Sequence, residues 1–332
     1  MLRFIVRRVL LMIPTLFVIS ALVYFIIDLP PGDCVSSQID ELLARGDADA
    51  HQRADELREL YGLNMPLWQR YLSWVSGIFR WDFGLSCQDT VPVADLIGER
   101  LTLTIIMETS TIAFIWIVSF LIGTYAATHQ YKLGDYVASF IGFVGLSVPN
   151  FLLALVLLYV GKVYFGLSIG GLMDPEYIEQ PLSWGKVVSI LQHLIIPVIV
   201  IGMSGTAGMI RRLRANLLDE LQKPYYVTAK AKGLPPWKAL AKYPLRMSLN
   251  PFIADIGSLL PEFISGSALV SVVLSLPTTG PILVRALQTQ DMYLAGSFLM
   301  LESFLVVIGV LVSDLLLACL DPRIRFGGGQ AR

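Results

Sequence analysis

The chain has 332 residues, 55% of them hydrophobic and 15% charged, with a formal net charge of −1 and a mean hydropathy of +0.65. That balance excludes an ordinary soluble domain and gives no basic excess for binding nucleic acid, so the chain reads as a membrane protein. With the total near zero, the placement of charges along the sequence carries the information.

A transmembrane helix needs about 20 predominantly apolar residues. Six runs qualify: Val9 to Ile27, Leu103 to Ala127, Tyr136 to Val160, Val187 to Met209, Phe252 to Leu276 and Leu294 to Leu320. Arg3, Arg7 and Arg8 before the first run also suit a signal peptide. The run exceeds an h-region, however, and Leu29-Pro30-Pro31-Gly32 is a poor cleavage site, so it is read as a helix.

Residues 29–100, after the first run, carry 12 acidic side chains against six arginines, and belong outside. Within this segment Ser37 is the expected N-cap of a short helix that Gly46 ends. "HQRADELRELYGL" repeats the plan, with Leu57, Leu60 and Tyr61 on one face and Gly62 as the stop. From Pro66 on, Trp68, Tyr71, Leu72, Val75, Ile78 and Phe79 recur at helical spacing, with Trp74 and Trp81 nearby. That pattern suits a helix in the headgroup region, and packing onto the outer ends of the bundle is the favoured reading. Cys34 and Cys87 both fall in this segment, where oxidation is permitted. A disulfide and two free thiols both remain open, because spacing does not fix how closely the two approach. Cys319 reads as a small apolar residue of the last run.

Ionisable groups inside the membrane are costly and point to function by default. Glu108, Glu262 and Glu302 are candidates for a translocation path; Asp255 and Asp314 lie toward the inner ends of their runs. Glu262 follows Pro261, which removes a helical hydrogen bond at that depth. The competing reading is that these carboxylates bond to neighbouring helices. Gly142, Gly145, Ser147, Gly257, Ser265, Gly266 and Ser267 permit close helix contacts. His193 has no partner in the pattern and reads as structural, and no metal ligation is indicated.

Between runs four and five lie nine basic residues, Arg211, Arg212, Arg214, Lys223, Lys230, Lys232, Lys238, Lys242 and Arg246, against Asp219 and Glu220. This segment belongs inside, as do the N-terminus and the tail with Arg323, Arg325 and Arg332. Asp174, Glu176 and Glu179 place the segment between runs three and four outside. The organisation exceeds what topology needs. Leu217, Leu218 and Leu221 continue the fourth run's apolar face. Pro224 restarts the chain, Tyr225 to Lys232 form a short helix ended by Gly233, and Pro235-Pro236 open a second one. Small Ala229, Ala231 and Gly233 let a partner surface approach, with Lys230 and Lys232 flanking. A basic helix resting on anionic lipid is the competing reading. The aqueous parts hold no GxxxxGK[ST], CxxC, HExxH or GxSxG pattern, so no catalytic residue is assigned.

At "YYVTAKAKGL", Tyr225 to Leu234, the sequence resembles the membrane-spanning permease subunits of bacterial ATP-binding-cassette importers, in the dipeptide and oligopeptide permease family. The stretch is similar to that family's form of the "EAA" loop, roughly YVxTARAKGL. "LRFIVRRVLLMIPTLFVIS", "LPPGD", "YGLNMPLWQRYLSWVSGIFRWDFGLS", "SVPNFLLALVLLYV" and "LDPRIRF" resemble further family segments in the same order. The chain departs from the family near the end of run five. There Ser271, Leu274 and Thr278 replace a glutamate, a phenylalanine and a glycine, while Pro277 and Gly280 remain.

The resemblance implies an all-α polytopic protein with the type I importer permease fold. It would be a single domain over 1–332 with six spans and both termini inside, an extracytoplasmic segment over 29–100 and a coupling loop over 211–250. Tyr226, Val227, Thr228, Ala229, Lys230, Ala231, Lys232, Gly233 and Leu234 would form the coupling helix. The implied partners are a second homologous permease subunit, two ATPase subunits that bind ATP and magnesium, an extracytoplasmic solute-binding protein and the bilayer. No cofactor is expected in this chain, no nucleic acid is involved, and the site is the bacterial inner membrane. An ion-coupled carrier driven through Glu262 or Glu302 is the alternative.

Overall fold

The computed structural model describes residues 2–44, 50–166, 170–178, 180–181, 183–254 and 267–320. Its helices in chain order are α1 (Leu2–Asp28), α2 (Cys34–Ala44), α3 (Ala50–Leu60), α4 (Leu67–Phe79), α5 (Val93–Thr128), α6 (Leu133–Ser147) and α7 (Asn150–Phe165). After a 3-10 turn at Pro175–Tyr177 come α8 (Trp184–Leu221), α9 (Pro224–Ala231), α10 (Pro236–Lys242), α11 (Pro244–Ser248), α12 (Asn250–Ala254), α13 (267–273), α14 (Thr279–Gln288) and α15 (Met292–Leu320).

Among the described residues, α1, α5, α8 and α15 are each long and apolar enough to cross a bilayer; α6 and α7 make a fifth crossing if counted together. The run Phe252 to Leu276 is described only at its two ends, and Asp255, Gly257, Pro261, Glu262, Ser265 and Gly266 lie outside the described residues. The continuous third run, Tyr136 to Val160, is corrected: it breaks into α6 and α7, bent by 102°. Pro149 disfavours a helical conformation for the residue before it, and Val148 is accordingly extended (φ −93°, ψ 122°).

Two compact units share the chain. One comprises Leu2–Thr104 with Pro277–Val307. In its first cluster, Ile27, Val93 and Ile97 pack with Ile282, Ala286, Leu294, Ala295 and Phe298. A smaller one joins Cys34, Val35, Ile39, Ala54, Tyr61 and Cys87. A disulfide links Cys34 to Cys87, with Cα atoms 6.1 Å apart. Beside it the buried Asp291 accepts hydrogen bonds from the Ser86 hydroxyl (2.6 Å) and the amides of Gln88 (3.2 Å) and Leu294 (3.1 Å). Asp291 therefore caps α15 and clamps the loop around Cys87 at once.

Two sequence expectations for this segment are corrected. Helix α2 starts at Cys34, not after Ser37, because Asp33 caps it: the Ser36 amide donates to Asp33 Oδ1 (2.7 Å) and the Asp33 amide to Ser36 Oγ (3.4 Å). The packed face of α3 is Ala54, Leu57 and Tyr61, whereas Leu60 is exposed. Gly62, at φ +64°, does end that helix, with the Leu63 amide donating to the Arg58 carbonyl (2.8 Å).

Arg58 also donates to Asp33 (3.0 Å). Burial raises the Asp33 carboxyl, but the bonds from Ser36 and Arg58 outweigh it and hold the group below its usual range. Its contribution is therefore present above the unfolded pKa and lost as pH falls through the depressed folded value. Asp33→Ala is expected to weaken the α2 segment by about 1 kcal/mol at neutral pH, the worth of a cap. Amide exchange over α2 should show the loss at pH 7 and converge with wild type once pH has fallen below the depressed folded value.

The other unit holds Ile105–Leu276 and the chain from Ile308 on. Its centre is α8, a helix of 38 residues begun by Ser183, whose side chain accepts from the Lys186 amide. α6, α7 and α11 all pack on it. Gly145 brings α6 so close that a Cβ there would meet Met203 at 2.9 Å; Gly142 faces Ala207 more loosely. Ser147 instead donates to its own helix at Phe143. From α5, Ser119 donates to the Thr206 carbonyl (3.2 Å).

Candidate functional site

The basic segment is an extension of α8 followed by a helical hairpin. α8 continues past its apolar stretch with Leu213 and Leu217 fully buried and Arg211 and Arg212 exposed. Lys223 turns the chain into extended geometry, and Pro224 opens α9 at a position that needs no amide hydrogen. Thr228 donates back to the Pro224 carbonyl (2.9 Å). Gly233, at φ +79°, closes α9: its amide donates to the Lys230 carbonyl (3.0 Å) and the Leu234 amide to the Ala229 carbonyl (3.2 Å). This paired arrangement needs a left-handed residue, the conformation glycine adopts without penalty.

Tyr225 braces the hairpin. Its hydroxyl donates to Glu220 at the end of α8, and its ring lies 6.2 Å from that of Tyr243, which follows α10. Burial raises the phenol's pKa and the bond to Glu220 raises it further, so Tyr225 stays a neutral donor. Lys230 lies over the Tyr226 ring (5.4 Å) and Lys238 over the Trp237 ring (5.3 Å).

Val227, Lys230 and Ala231, at i, i+3 and i+4, are exposed together with Lys232, Gly233 and Trp237. The expectation that Ala229 joins the small outward residues is corrected, because it is 7% exposed. It is the residue whose carbonyl the glycine turn engages, and α9 packs on α10 and α8. The hairpin thus offers an apolar, lysine-rimmed ridge held from behind.

A feature without a sequence signal sits ten residues before α9. Arg214 on α8 grips Asp135 at the start of α6 with two bonds, Nε to Oδ1 and Nη2 to Oδ2, both 2.7 Å. The Asp135 side chain is 4% exposed and that of Arg214 26%, and the Tyr131 amide adds a third donor to the carboxylate (3.0 Å). The two-pronged geometry fixes orientation as well as distance. Arg214 reads in sequence only as one charge among nine, and nothing at a separation of 79 residues links it to Asp135.

The membrane carboxylates fall on different elements of the chain. Glu108 is buried on α5, with Ser267 as its polar neighbour. Glu302 is half-buried on α15, in the other unit, and Glu262 falls outside the described residues. His193, expected to lack a partner, has two: Nδ1 lies 2.9 Å from the Ser189 carbonyl and Nε2 lies 3.8 Å from Asp174, which itself accepts from the Ser189 hydroxyl (2.7 Å).

The sequence matches the family model of the binding-protein-dependent transport system inner membrane component over residues 119–326, and the N-terminal model of that membrane component over residues 1–108. The chain belongs to this family. It is an ATP-binding-cassette permease subunit, as the resemblance implied. The permease is 32% identical to the oligopeptide transport system permease protein AppB of Bacillus subtilis (strain 168), covering 97% of this chain and 99% of the relative. It is 30% identical to the dipeptide transport system permease protein DppB of Escherichia coli (strain K12), over 98% and 99%. With the glutathione transport system permease protein GsiC of the same strain the identity is 31%, over 98% and 100%. All three alignments run through both compact units of the permease.

Proposed function

We propose that this permease subunit forms a translocation path for peptides or similar small solutes, and that the α9 ridge couples the path to ATP hydrolysis in partner subunits. The observation that carries the reading is the α9 hairpin. A short helix closed at Gly233, tied back through Tyr225 and exposing Val227, Lys230 and Ala231, is shaped to seat in a cleft of another protein. Val227 and Trp237 supply apolar contact, and the lysines favour an acidic rim. ATP and magnesium belong to two nucleotide-binding subunits, and this chain hydrolyses nothing. A second, homologous permease subunit completes the path and an extracytoplasmic binding protein delivers the solute. The chain would cross the bacterial inner membrane six times as one domain, with both termini inside, the 29–100 segment outside and the 211–250 loop inside. The peptide class rests on the names of the relatives. Glu108, Glu262 and Glu302 are assigned to the path, and family membership weighs against an ion-coupled carrier driven through them.

The test is to tag the chain, extract it gently and identify stoichiometric partners by mass spectrometry. Recovery of the chain alone, or only with copies of itself, would overturn the reading. In the assembled importer, Gly233→Val is expected to lower ATP-driven uptake at least about tenfold, because a β-branched residue at positive φ costs on the order of 1–3 kcal/mol. A Cβ there meets nothing within 4 Å, so the loss would come from the backbone alone. Uptake at the wild-type rate with Gly233→Val would remove α9 from the coupling role.

A further inference from the structure

We propose that α4 and the turn closing it form a membrane-surface anchor, with Trp68, Leu72, Phe79 and Trp81 seated at the boundary between lipid headgroups and acyl chains, in the leaflet at the Asp28 end of α1.

Helix α4 has two unlike faces. Tyr71 and Trp74 turn inward onto α1, where the Tyr24 ring lies 5.4 Å and 5.5 Å from theirs. Trp68, Leu72 and Phe79 lie on another face with the half-buried Val75, at steps of four, three and four, and are 59%, 55% and 84% exposed. Such a stripe needs a cover.

Contacts with α1 say what the cover is. Ser20 donates to the Phe17 carbonyl (2.8 Å), which leaves its oxygen to accept the hydrogen of the Tyr71 hydroxyl, also at 2.8 Å. Ser20 lies eight residues before Asp28, about 12 Å down a membrane-spanning helix. Arg70, the residue before Tyr71, pairs with Asp28 itself (2.7 Å). α4 therefore lies across the last two turns of α1, with its charge at the end of the span and its tyrosine reaching below. On α1, Leu22, Phe25 and Ile26 are exposed at the same level. As α1 packs few of its residues against the rest of the chain, those side chains meet lipid, and the α4 stripe continues that apolar surface.

Trp81 supplies an independent observation. Its φ is +61°, and it closes α4 in the turn that ended α3 and α9 at glycines: the Trp81 amide donates to the Ile78 carbonyl (3.1 Å) and the Asp82 amide to that of Gly77 (3.0 Å). A left-handed tryptophan is strained, and this one is 81% exposed, with its ring 6.2 Å from that of Phe83. Most of the indole surface is left outside the packing of the fold. An indole is favoured where one edge is wet and the body apolar, as at a bilayer surface.

The test places a thiol-reactive NBD fluorophore at Phe79→Cys, at Trp81→Cys and, as a water-facing control on the same helix, at Ser73→Cys. All three carry Cys319→Ser, in the full chain within its purified importer, in phosphatidylcholine–phosphatidylglycerol nanodiscs. Labelling of one thiol per chain verifies that Cys34 and Cys87 remain joined. Lipids with a nitroxide at acyl carbon 5 are expected to quench the dye at 79 and 81 at least about threefold more than at 73, and aqueous iodide the reverse. Iodide quenching at 79 and 81 equal to that at 73 would place the stripe in water. Shielding from both quenchers would mean that another protein covers it. Either result overturns the proposal.

Discussion

Replacing Asp135 by alanine is expected to loosen the grip of α6 on the outgoing end of α8 by about 2–4 kcal/mol. Breaking a buried ion pair by removing one partner costs about 3–5 kcal/mol when the orphaned charge stays buried. Arg214 is partly exposed and can reach water, which lowers the figure. Two further losses act with it: the Tyr131 amide loses its acceptor, and the first turn of α6 loses a carboxylate that favours the helix N-terminus. The readout is thermal unfolding of the purified importer, where Asp135→Ala should melt several degrees lower. Arg214→Asp combined with Asp135→Arg should recover part of the loss. If Asp135→Ala melts with the wild type, the pair does not hold the two helices together.

The second large effect concerns the staple between Cys34 and Cys87. These cysteines are 53 residues apart, and closing a loop of that size restricts the unfolded segment by about 4 kcal/mol in the chain-entropy model. Among the described residues the buried apolar side chains beside them are Val35, Ile39, Ala54 and Tyr61, a small cluster for the staple to reinforce. Cys34→Ser and Cys87→Ser, separately, are each expected to open the segment between α1 and α5 to limited proteolysis. The membrane-spanning helices should stay inserted. Reductant should produce the same cleavage in the unmodified chain. Resistance to protease in both variants would mean that the Asp291 clamp and the Tyr61 packing suffice alone.

How much of this was legible in sequence depended on whether the signal was local. Apolar runs long enough to span, a glycine that stops α9 and a proline that starts it are written within a few residues of where they act. Prolines show the limit of that reading. Pro149 ends α6 and turns the chain, whereas Pro14 and Pro197 are carried inside α1 and α8. The residue type is the same in each, and Pro197 is buried whereas Pro14 and Pro149 are exposed, so neither residue type nor burial alone separates the outcomes. Asp33, not Ser37, caps α2, and Arg58 in a different helix holds the same carboxylate. Ala229 turned inward because α10 folds back on α9, which composition does not reveal. Asp135 and Arg214 were both visible as charges, and only the tertiary fold makes them a pair.

Helix α8 has a mechanical consequence that follows from its length. At 38 residues it extends about 57 Å, while the hydrocarbon layer takes up only about 30 Å. Roughly 27 Å therefore project as a rigid arm. A pivot of about 10° where the arm leaves the membrane would sweep its tip through about 5 Å, close to one helical turn. Leu221 is that tip, and the Asp135 clip lies between it and the pivot. If α9 has the proposed coupling role, a modest tilt among packed spans and a stroke large enough to reseat α9 would be one motion viewed at the two ends of a lever.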